Sequence, residues 1–226
     1  MVIIEQLLTK AEVADYRRQL DLVSFVDGGE TAEGMAADVK RNGQADATDP
    51  AVVQLANELL GRMGSTPQLV SAALPHRIFP PCFNRYVEGE TYGYHVDASI
   101  MRVPATRDVL RSDVSMTLFL SEMDEYEGGE LHIATDFGHQ SVKLEAGAAV
   151  VYPSSSLHRV TPVSAGVRMA AICWMQSLVA DEGLLRTLYQ LDRTIQSLSA
   201  DAKVSREQLD SLHNVYHNLV RKHAQV

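Results

Sequence analysis

The sequence predicts a mainly β protein of the α+β class, in which an antiparallel sandwich or barrel is flanked by helices. Two observations predict it: short β-rich runs recur between about residues 76 and 178, and helical periodicity is found before and after them. Turn signals such as Glu127-Gly128-Gly129, Ala146-Gly147 and Ala165-Gly166 separate the runs. About eight such runs without long intervening helices favour an antiparallel arrangement over a parallel sheet of the Rossmann type.

Residues 1–76 predict helices joined by loops, forming a segment that packs on the core. Thr9 and Glu12 have the spacing of a capping box at the start of an amphipathic helix. Asp49-Pro50 begins a second helix, because proline is favoured in the first helical turn. The stretch 27–44 between these helices is polar and rich in glycine, so it predicts a loop with one short strand.

Residues 77–178 hold the predicted strands and form the predicted central domain. The β-rich runs are, in chain order, CFNRYV, TYGYHVD, DVSMTLFL, GELHIAT, SVKL, AAVVYP, LHRVTPV and VRMAAICWMQSL. Their content of β-branched and aromatic residues is typical of strands that are packed on at least one face.

Residues 179–226 predict a helical hairpin. The apolar positions are Leu184, Leu188, Leu191, Ile195 and Leu198 in its first helix and Leu209, Leu212, Tyr216 and Leu219 in its second. Spacings of three and four residues place these side chains on one face of each helix, and Ser205 is the expected N-cap of the second helix. We expect these faces to pack either on the barrel or on a second subunit. In the second case the C-terminal helices would form the interface of a homo-oligomer.

The charge balance excludes some classes of partner. The 226 residues include 20 Lys and Arg against 29 Asp and Glu, a formal net charge of −9. Nucleic-acid-binding proteins concentrate positive charge, so no nucleic-acid partner is expected. No apolar run reaches the roughly 18 residues of a membrane span, and the N-terminal residues do not have the pattern of a secretory signal. Two cysteines, Cys82 and Cys173, exclude a disulfide framework, so we expect a cytoplasmic protein.

The pair His95 and Asp97 is the first candidate for chemistry. On a strand, residues two apart point to the same face. An imidazole and a carboxylate side by side are two of the three ligands of a facial triad for non-haem Fe(II), which leaves open positions for co-substrate and oxygen. His158, which begins a strand-like run after a loop, is the candidate for the third ligand.

Arg168 lies in an apolar run ten residues after His158. A guanidinium is costly to bury without an anionic partner, and a carboxylate satisfies it through a two-pronged ion pair. The turn Ser164-Ala165-Gly166 predicts that the strand of Arg168 folds back beside His158, so that a bound anion would lie near the metal.

These residues and the motifs around them resemble the Fe(II)- and 2-oxoglutarate-dependent dioxygenases. Within that superfamily the chain is similar to the PKHD-type hydroxylases, the PiuC/YbiX-like bacterial relatives of prolyl and lysyl hydroxylases. The resemblance covers the whole chain and includes VKRNGQ, FNRYVEGETYGYHVD, RSDVSMTLFLS, YEGGEL and YPSSSLHRVTPV. One departure is Gly147-Ala148, which stands where a Gly-Asp pair is expected.

The resemblance implies a double-stranded β-helix, or jelly roll, with Fe(II) ligated by His95, Asp97 and His158. It implies that Arg168 binds the distal carboxylate of 2-oxoglutarate and that Tyr86 lines the co-substrate pocket. The expected reaction is hydroxylation of a small-molecule or peptide substrate by O2, with release of succinate and CO2. L-ascorbate as an iron reductant and a link to iron uptake are further expectations of the resemblance.

Two alternatives of other classes stay open. A cupin-like oxygenase would use O2 without an oxoacid, but such sites usually add further His or Glu ligands and would give Arg168 no purpose. A non-catalytic sensor of iron or 2-oxoglutarate on the same fold would bind the co-substrate without turnover. Activity that depends on Arg168 would distinguish the dioxygenase from the cupin-like oxygenase. Release of succinate would distinguish it from the non-catalytic sensor.

Other polar residues have simpler interpretations. We interpret His132 as a structural histidine, His213 and His217 as part of a solvated helix face, and Trp174 as a core residue. The loops 98–112 and 27–48 are expected to set substrate specificity. The first contains three arginines that either favour an anionic substrate or are solvated: Arg102, Arg107 and Arg111.

Overall fold

The computed structural model describes residues 1–31, 34–104, 106–135 and 138–226. Its helices are α1 (Lys10–Leu20), α2 (Met35–Asp38), α3 (Pro50–Gly64), α4 (Pro67–Ala73), α5 (Glu182–Ser199) and α6 (Arg206–His223), with a 3-10 helix at Gly28–Thr31. The first strands are β1 (Val2–Ile4), β2 (Phe25–Asp27), β3 (Lys40–Arg41), β4 (Gly43–Ala45), β5 (Pro75–Ile78), β6 (Cys82–Tyr86), β7 (Thr91–His95), β8 (Ile100–Arg102) and β9 (Val109–Arg111). The others are β10 (Val114–Phe119), β11 (Tyr126–Gly128), β12 (Leu131–Thr135), β13 (Gly138–Val142), β14 (Ala149–Pro153), β15 (His158–Val160), β16 (Val163–Gly166) and β17 (Arg168–Ser177).

The strands form two main antiparallel sheets, as the jelly-roll prediction requires. The larger sheet has the order β1-β14-β10-β17-β6-β4-β2, with β5 also paired to β17. The smaller sheet has the order β13-β12-β15-β7-β3. Two ribbons, β8-β9 and β11-β16, complete the β-structure. The prediction of a mainly β protein with a jelly-roll core, N-terminal helices and a C-terminal helical hairpin is confirmed.

Alternation along β17 assigns the two faces of the larger sheet. Met169 and Cys173 belong to the main hydrophobic core, which also contains residues of helices α1, α3, α4 and α5. Successive side chains of a strand point to opposite faces, so Arg168 and Trp174 face the interior between the two sheets. One face of the larger sheet therefore packs on helices, and the other forms one wall of the interior.

The helices begin where the capping signals predict. Thr9 and Ser205 each form a complete capping box, and Asp49 accepts a hydrogen bond from the backbone N–H of Ala51. In α5, Leu188 is fully buried in the main core. Helix α6 has no buried residue, which leaves its role in self-association a prediction. No helix in the described ranges is long and apolar enough to cross a membrane.

The N-terminal residues contribute strands to both sheets. Strand β1 pairs with β14 and β4 pairs with β6 in the larger sheet, whereas β3 pairs with β7 in the smaller sheet. The stretch 27–44 therefore holds more strand than the one short strand predicted. These strands have two or three residues, too few for a visible alternation, and their conformation comes from pairing with longer strands. The division into regions 1–76, 77–178 and 179–226 stays a prediction.

Gly147 is expected to be essential for stability, whereas Gly61 is not. Gly147 has a φ of +93°, and a Cβ at this position would collide with the backbone carbonyl of Leu8. Gly61 lies in helix α3 with nothing within 4 Å of an added Cβ. In thermal or urea unfolding, Gly147→Ala should lower the free energy of unfolding by about 1–3 kcal/mol. The matched Gly61→Ala should raise it by about 0.5–1 kcal/mol. Equal effects of the two substitutions would contradict this account.

Candidate active site

A cavity of about 310 Å³ lies between the two sheets. The smaller sheet contributes polar side chains at one wall, and the inner face of the larger sheet forms the other. The residues that matter for the chemistry of this lining are Lys40, Asn84, Tyr86, Tyr92, His95, Asp97, Arg102, Tyr152, His158 and Trp174. The three predicted metal ligands therefore border one shared space.

A β-bulge in strand β7 orients His95. In the pairing of β7 with β15, His95 lies opposite His158 and Tyr92 lies opposite Val160, so three steps on β7 match two on β15. The extra residue places Tyr92 and His95 on the same face. Their rings stack with centroids 3.5 Å apart at an interplanar angle of 12°. The bulge thus gives His95 an aromatic neighbour that limits its rotation.

Backbone carbonyls fix which nitrogen of each histidine faces the cavity. The Nδ1–H of His95 donates to the Gly93 carbonyl oxygen at 2.8 Å, and the Nδ1–H of His158 donates to the Ser156 carbonyl oxygen at 2.9 Å. Since a carbonyl can only accept, each neutral ring carries its proton on Nδ1 and has its lone pair on Nε2. Such hydrogen bonds to the far nitrogen are usual for histidines that bind metals.

Asp97 is the third candidate ligand and supplies an oxygen donor. Its Oδ1 lies 3.8 Å from Nε2 of His95 and 3.7 Å from Nε2 of His158. Its Oδ2 accepts a hydrogen bond of 2.6 Å from the Ser115 hydroxyl, which lies 2.7 Å from the Ser154 hydroxyl. Ser115 has one hydroxyl proton and gives it to Asp97, so Ser154 is the donor to Ser115. One carboxylate oxygen is thus held by the protein and the other faces the histidines.

The chemistry of this donor set fits a divalent transition metal. One ligand atom from each of His95, Asp97 and His158 lies within 4.8 Å of the others, and the three side chains are 5–8% exposed. Burial and the neighbouring His158 lower the pKa of His95 to about 4. Metal ligation needs neutral imidazole, and the site favours that form before any metal binds. Two imidazoles and one carboxylate on one side of a cavity are the ligands of a facial triad.

Ser115 is expected to support metal binding through Asp97. Ser115→Ala removes the hydrogen bond to Oδ2 and frees the carboxylate to rotate. Losing such a supporting contact typically weakens metal affinity by about ten- to a hundredfold. Titration of the purified protein with Co(II), followed by visible absorption, measures this change. Ser141→Ala, at an exposed position of β13, is the matched control. Equal Co(II) affinity of the two variants would contradict a supporting role for Ser115.

Arg168 is fully buried on the inner face of the larger sheet. None of its three guanidinium nitrogens has a hydrogen-bond partner among the described residues. The guanidinium carbon lies 5.2 Å from the ring centroid of Tyr86 and 5.5 Å from that of Phe119. An unpaired buried guanidinium is strongly unfavourable. A carboxylate fits this position because it would supply both the charge and the acceptors that Arg168 lacks.

Gly129 lets the backbone pass close to the side chains of Arg168 and Tyr126. Gly129 has a φ of +66°, and a Cβ there would come within 3.0 Å of the Arg168 side chain and 3.1 Å of the Tyr126 ring. The hydroxyl of Tyr126 is also buried and without a hydrogen-bond partner among the described residues. A carboxylate bound by Arg168 would therefore find a further donor in Tyr126.

The turn 164–166 predicted that the strand of Arg168 lies beside His158. This prediction is wrong, because the two residues belong to different sheets. Strand β15 belongs to the smaller sheet and β17 to the larger one. Between them β16 leaves both main sheets and pairs with β11, so the chain crosses from one sheet to the other. The two residues consequently face the interior from opposite walls.

The remaining candidates keep their simpler interpretations, with one exception. His132 stacks on His139 and contacts Arg159 through Nδ1, away from the triad. His213 and His217 stack on α6 with no third metal ligand among the described residues. Cys173 is buried core, but Trp174 lines the cavity. Alternation from Arg168 was the signal for this position, since the two residues are an even number of steps apart.

Comparison with known proteins assigns the family. Residues 81–176 match the sequence model of the 2OG-Fe(II) oxygenase superfamily, and residues 185–225 match that of the PKHD-type hydroxylase C-terminal domain. PKHD-type hydroxylases of Alteromonas mediterranea and Shewanella frigidimarina are each 63% identical over 226 residues, covering 100% of both chains. The chain belongs to the PKHD-type hydroxylases. It is therefore a 2-oxoglutarate-dependent non-haem iron dioxygenase, as the sequence predicted.

Solved structures support the fold of this PKHD-type hydroxylase. A prolyl-4-hydroxylase of Pseudomonas putida has a TM-score of 0.52 at 21% identity, covering 77% of this chain and 91% of that one. HygX of Streptomyces hygroscopicus, solved with nickel, 2-oxoglutarate and hygromycin B bound, has a TM-score of 0.54 at 14% identity and covers 79% and 83%. At these identities the likeness concerns the jelly-roll architecture.

Several residues of the site were not found in the sequence of this PKHD-type hydroxylase. Lys40 comes from the predicted loop, and Ser115 lies in a run that gave no chemical signal. Tyr152, Phe79 and Asn84 line the cavity from strands or loops whose inner face only the fold defines. The alternation of β6 from the predicted Tyr86 was a signal for Asn84, but none existed for Lys40.

Proposed function

We propose that this PKHD-type hydroxylase holds Fe(II) with His95, Asp97 and His158 and binds the distal carboxylate of 2-oxoglutarate at Arg168. The observation that carries the proposal is the pairing of a buried His/Asp/His cluster with a buried guanidinium that has no partner among the described residues. When bound, the iron and 2-oxoglutarate supply the oxidation of a substrate C–H bond by O2, with release of succinate and CO2.

The residues of the chain contribute geometry and polarity. Gly93 and Ser156 keep the Nε2 lone pairs of the two histidines turned to the metal, and Ser115 orients Asp97. Tyr86 packs on Arg168, and burial raises its pKa to about 12, so its hydroxyl stays protonated. We assign Tyr86 to the co-substrate pocket as a neighbour of Arg168. The aromatic and apolar lining limits water around the reacting atoms.

The two alternatives fit the site less well. A cupin-like oxygenase would need further ligands, but the described residues offer three in one group. It would also leave Arg168 buried without a function. A non-catalytic sensor would keep the same ligands, and it differs from the proposed enzyme in releasing no succinate.

The substrate is proposed at the level of chemical class. A small molecule or a peptide residue that fits the cavity is the proposed target, with O2 as the second substrate. Among the structural relatives, a prolyl hydroxylase of Trichoplax adhaerens was solved with a peptide fragment and HygX with hygromycin B. The proposal also includes a role in iron uptake, the use of L-ascorbate and a cytoplasmic location. It further includes association of subunits through α5 and α6.

The first experiment measures succinate formed from 2-oxoglutarate by anaerobically reconstituted protein, with and without Fe(II), after oxygen is admitted. We expect iron-dependent succinate even without the substrate, because enzymes of this class decarboxylate 2-oxoglutarate slowly when uncoupled. A visible charge-transfer band on adding 2-oxoglutarate to the anaerobic Fe(II) protein should accompany it. The band without succinate would favour the sensor, and the absence of both would contradict the proposed site.

A further inference from the structure

Asn84 is a buried polar residue of the cavity that the proposed chemistry does not use. It lies on strand β6, lines the cavity and is 5% exposed. Its Oδ1 is buried and has no hydrogen-bond partner among the described residues. Buried polar atoms are nearly always paired, because an unpaired one destabilises the fold. The position of Asn84 on a cavity wall therefore indicates a site for a hydrogen-bond donor from a ligand.

The pairing of the strands places a second carboxamide beside Asn84. Gln44 of β4 lies opposite Asn84 in register, and both residues line the cavity. The ammonium of Lys40 lies 3.3 Å from Oε1 of Gln44, so the oxygen of Gln44 is engaged within the protein. Of the two carboxamides, Asn84 is thus the one whose oxygen lacks a partner among the described residues. Its terminal torsion is broad, so rotation about the Cβ–Cγ bond turns either polar atom toward the cavity.

The proposed co-substrate does not satisfy this acceptor. Asn84 lies two residues along β6 from Tyr86, whose partner on β17 is Arg168. This separation is about 7 Å, at roughly 3.3–3.4 Å per residue. 2-Oxoglutarate has two carboxylates and a keto group at neutral pH, and all of these groups accept hydrogen bonds without donating one. The donor for Oδ1 of Asn84 is therefore expected on the other ligand of the cavity, the substrate.

The neutrality of Asn84 restricts the kind of donor that fits. A neutral carboxamide at a buried position does not compensate a charged group for its lost hydration. We propose that Asn84 determines substrate specificity by accepting a hydrogen bond from a neutral N–H or O–H group of the substrate. This inference rests on the proposed function and names the chemical class of its substrate. An amide N–H and a hydroxyl are the two sources of this chemistry.

The first test compares pairs of probes that have the same shape and differ in one donor. The rings of Phe79 and Trp174 line the cavity and contact each other edge to face, so each probe carries a phenyl group. N-Methylbenzamide is compared with methyl benzoate, and 2-phenylethanol with benzyl methyl ether. The protein is loaded with zinc and 2-oxoglutarate, so that no turnover occurs.

Binding is followed by nuclear magnetic resonance of isotope-labelled protein. Trp174 is the single tryptophan, and its indole N–H signal reports occupancy of the cavity. The donor-bearing member of one pair should bind about three- to tenfold more tightly than its counterpart. The pair that shows the preference identifies the source of the donor as an amide or a hydroxyl. Equal affinity within both pairs, or binding that leaves the indole signal unmoved, would overturn the proposal.

Asn84→Leu tests whether the preference depends on this side chain. The variant removes the acceptor at similar volume, so both members of each pair should bind equally well. Thr117→Val is the matched control, because the Thr117 hydroxyl also lies on the cavity wall, buried and without a partner among the described residues. This control should keep the wild-type preference. A preference that survives in Asn84→Leu, or that both variants lose equally, contradicts a specific role for Asn84.

Unfolding separates recognition from a structural role. Asn84→Leu should leave the melting temperature of the metal-free protein unchanged or raise it, because it removes a buried acceptor that has no partner among the described residues. A lower melting temperature with unchanged probe preference would assign Asn84 to the fold alone and refute the proposal.

A charged donor provides a test that does not depend on the leucine variant. N-Methylbenzylammonium should bind the wild type no better than benzyl methyl ether, since Asn84 is neutral. In Asn84→Asp the ammonium should bind at least about tenfold more tightly than the ether, because a carboxylate pairs with a charged donor. The same ratio of the two affinities in wild type and Asn84→Asp would show that the bound group does not contact this residue.

The proposed reaction is tested separately from this inference. Succinate formation by the iron-loaded wild type depends on the triad and on 2-oxoglutarate, and it needs none of these probes. Wild-type protein that forms succinate but shows no preference for donor-bearing probes would retain the proposed function and lose the substrate class. Protein that forms no succinate would lose the function, whatever the probe titrations show.

Discussion

Replacing His158 with alanine is expected to reduce iron-dependent succinate formation by more than about a hundredfold, with the fold intact. Loss of contacts that merely support a ligand weakens metal binding by about ten- to a hundredfold, so loss of a ligand itself should exceed that range. His158 faces a cavity rather than the main hydrophobic core. Its removal should therefore change the unfolding temperature little. Succinate assays at fixed iron, Co(II) titration and thermal unfolding measure the three quantities, and His95→Ala and Asp97→Ala should behave in the same way.

His132→Ala is the matched control for the triad. His132 lies on β12 in the same sheet, and its ring stacks on His139 outside the cavity lining. We expect near-normal succinate formation and Co(II) binding in this variant. Full activity of any one of the three triad variants, or an equal loss in His132→Ala, would show that the ligand assignment is wrong.

Replacing Arg168 with methionine is expected to act in opposite directions on co-substrate binding and on stability. A hydrogen bond to a charged group contributes about 1.5–3 kcal/mol, so affinity for 2-oxoglutarate should fall about ten- to a hundredfold. Without 2-oxoglutarate, the same substitution removes a buried charge that has no partner among the described residues. Apolar replacement of buried charged groups is often neutral or stabilising by up to about 4 kcal/mol, so the free energy of unfolding should stay level or rise.

Titration of the anaerobic Fe(II) protein with 2-oxoglutarate and urea unfolding of the metal-free protein measure the two effects. Arg85→Met is the matched control, because Arg85 lies on the neighbouring strand β6 and covers the ring of Phe25 at 4.3 Å. It should not change the affinity for 2-oxoglutarate. Unchanged affinity in Arg168→Met, or a marked loss of stability without co-substrate, would be incompatible with a carboxylate site at Arg168.

Local patterns in the sequence predicted much of this protein. Helix starts at Thr9, Asp49 and Ser205 were visible because capping needs particular side chains at fixed spacing. The β-rich runs predicted the main strands for a similar reason, since a packed strand needs β-branched or aromatic residues. The pair His95 and Asp97 was found from a two-residue spacing that places side chains on one face of a strand. In the structure β7 ends at His95 and Asp97 follows it outside the strand, so the shared strand was wrong although the two side chains do come together.

The rest depends on contacts between residues distant in the chain. The bulge that places Tyr92 next to His95 arises from pairing with β15, which no local pattern in β7 indicates. Lys40 reaches the cavity because two residues of a polar stretch pair with β7. The assignment of Arg168 to the wall opposite His158 required knowledge of how β16 joins the sheets. Of the three arginines in the loop 98–112, Arg102 lines the cavity and Arg111 is paired with Asp113. Only the assembled fold shows this difference.

The short strands of the N-terminal segment have a consequence for what counts as the folding unit of this enzyme. Strands β1, β3 and β4 occupy the free sides of β14, β7 and β6, two of which carry proposed active-site residues. A fragment that begins at residue 77 would present these backbone N–H and C=O groups to solvent, and unpaired strand edges recruit other chains. The region that matches the oxygenase superfamily, residues 81–176, is thus shorter than the part of the chain needed to cover these strand edges.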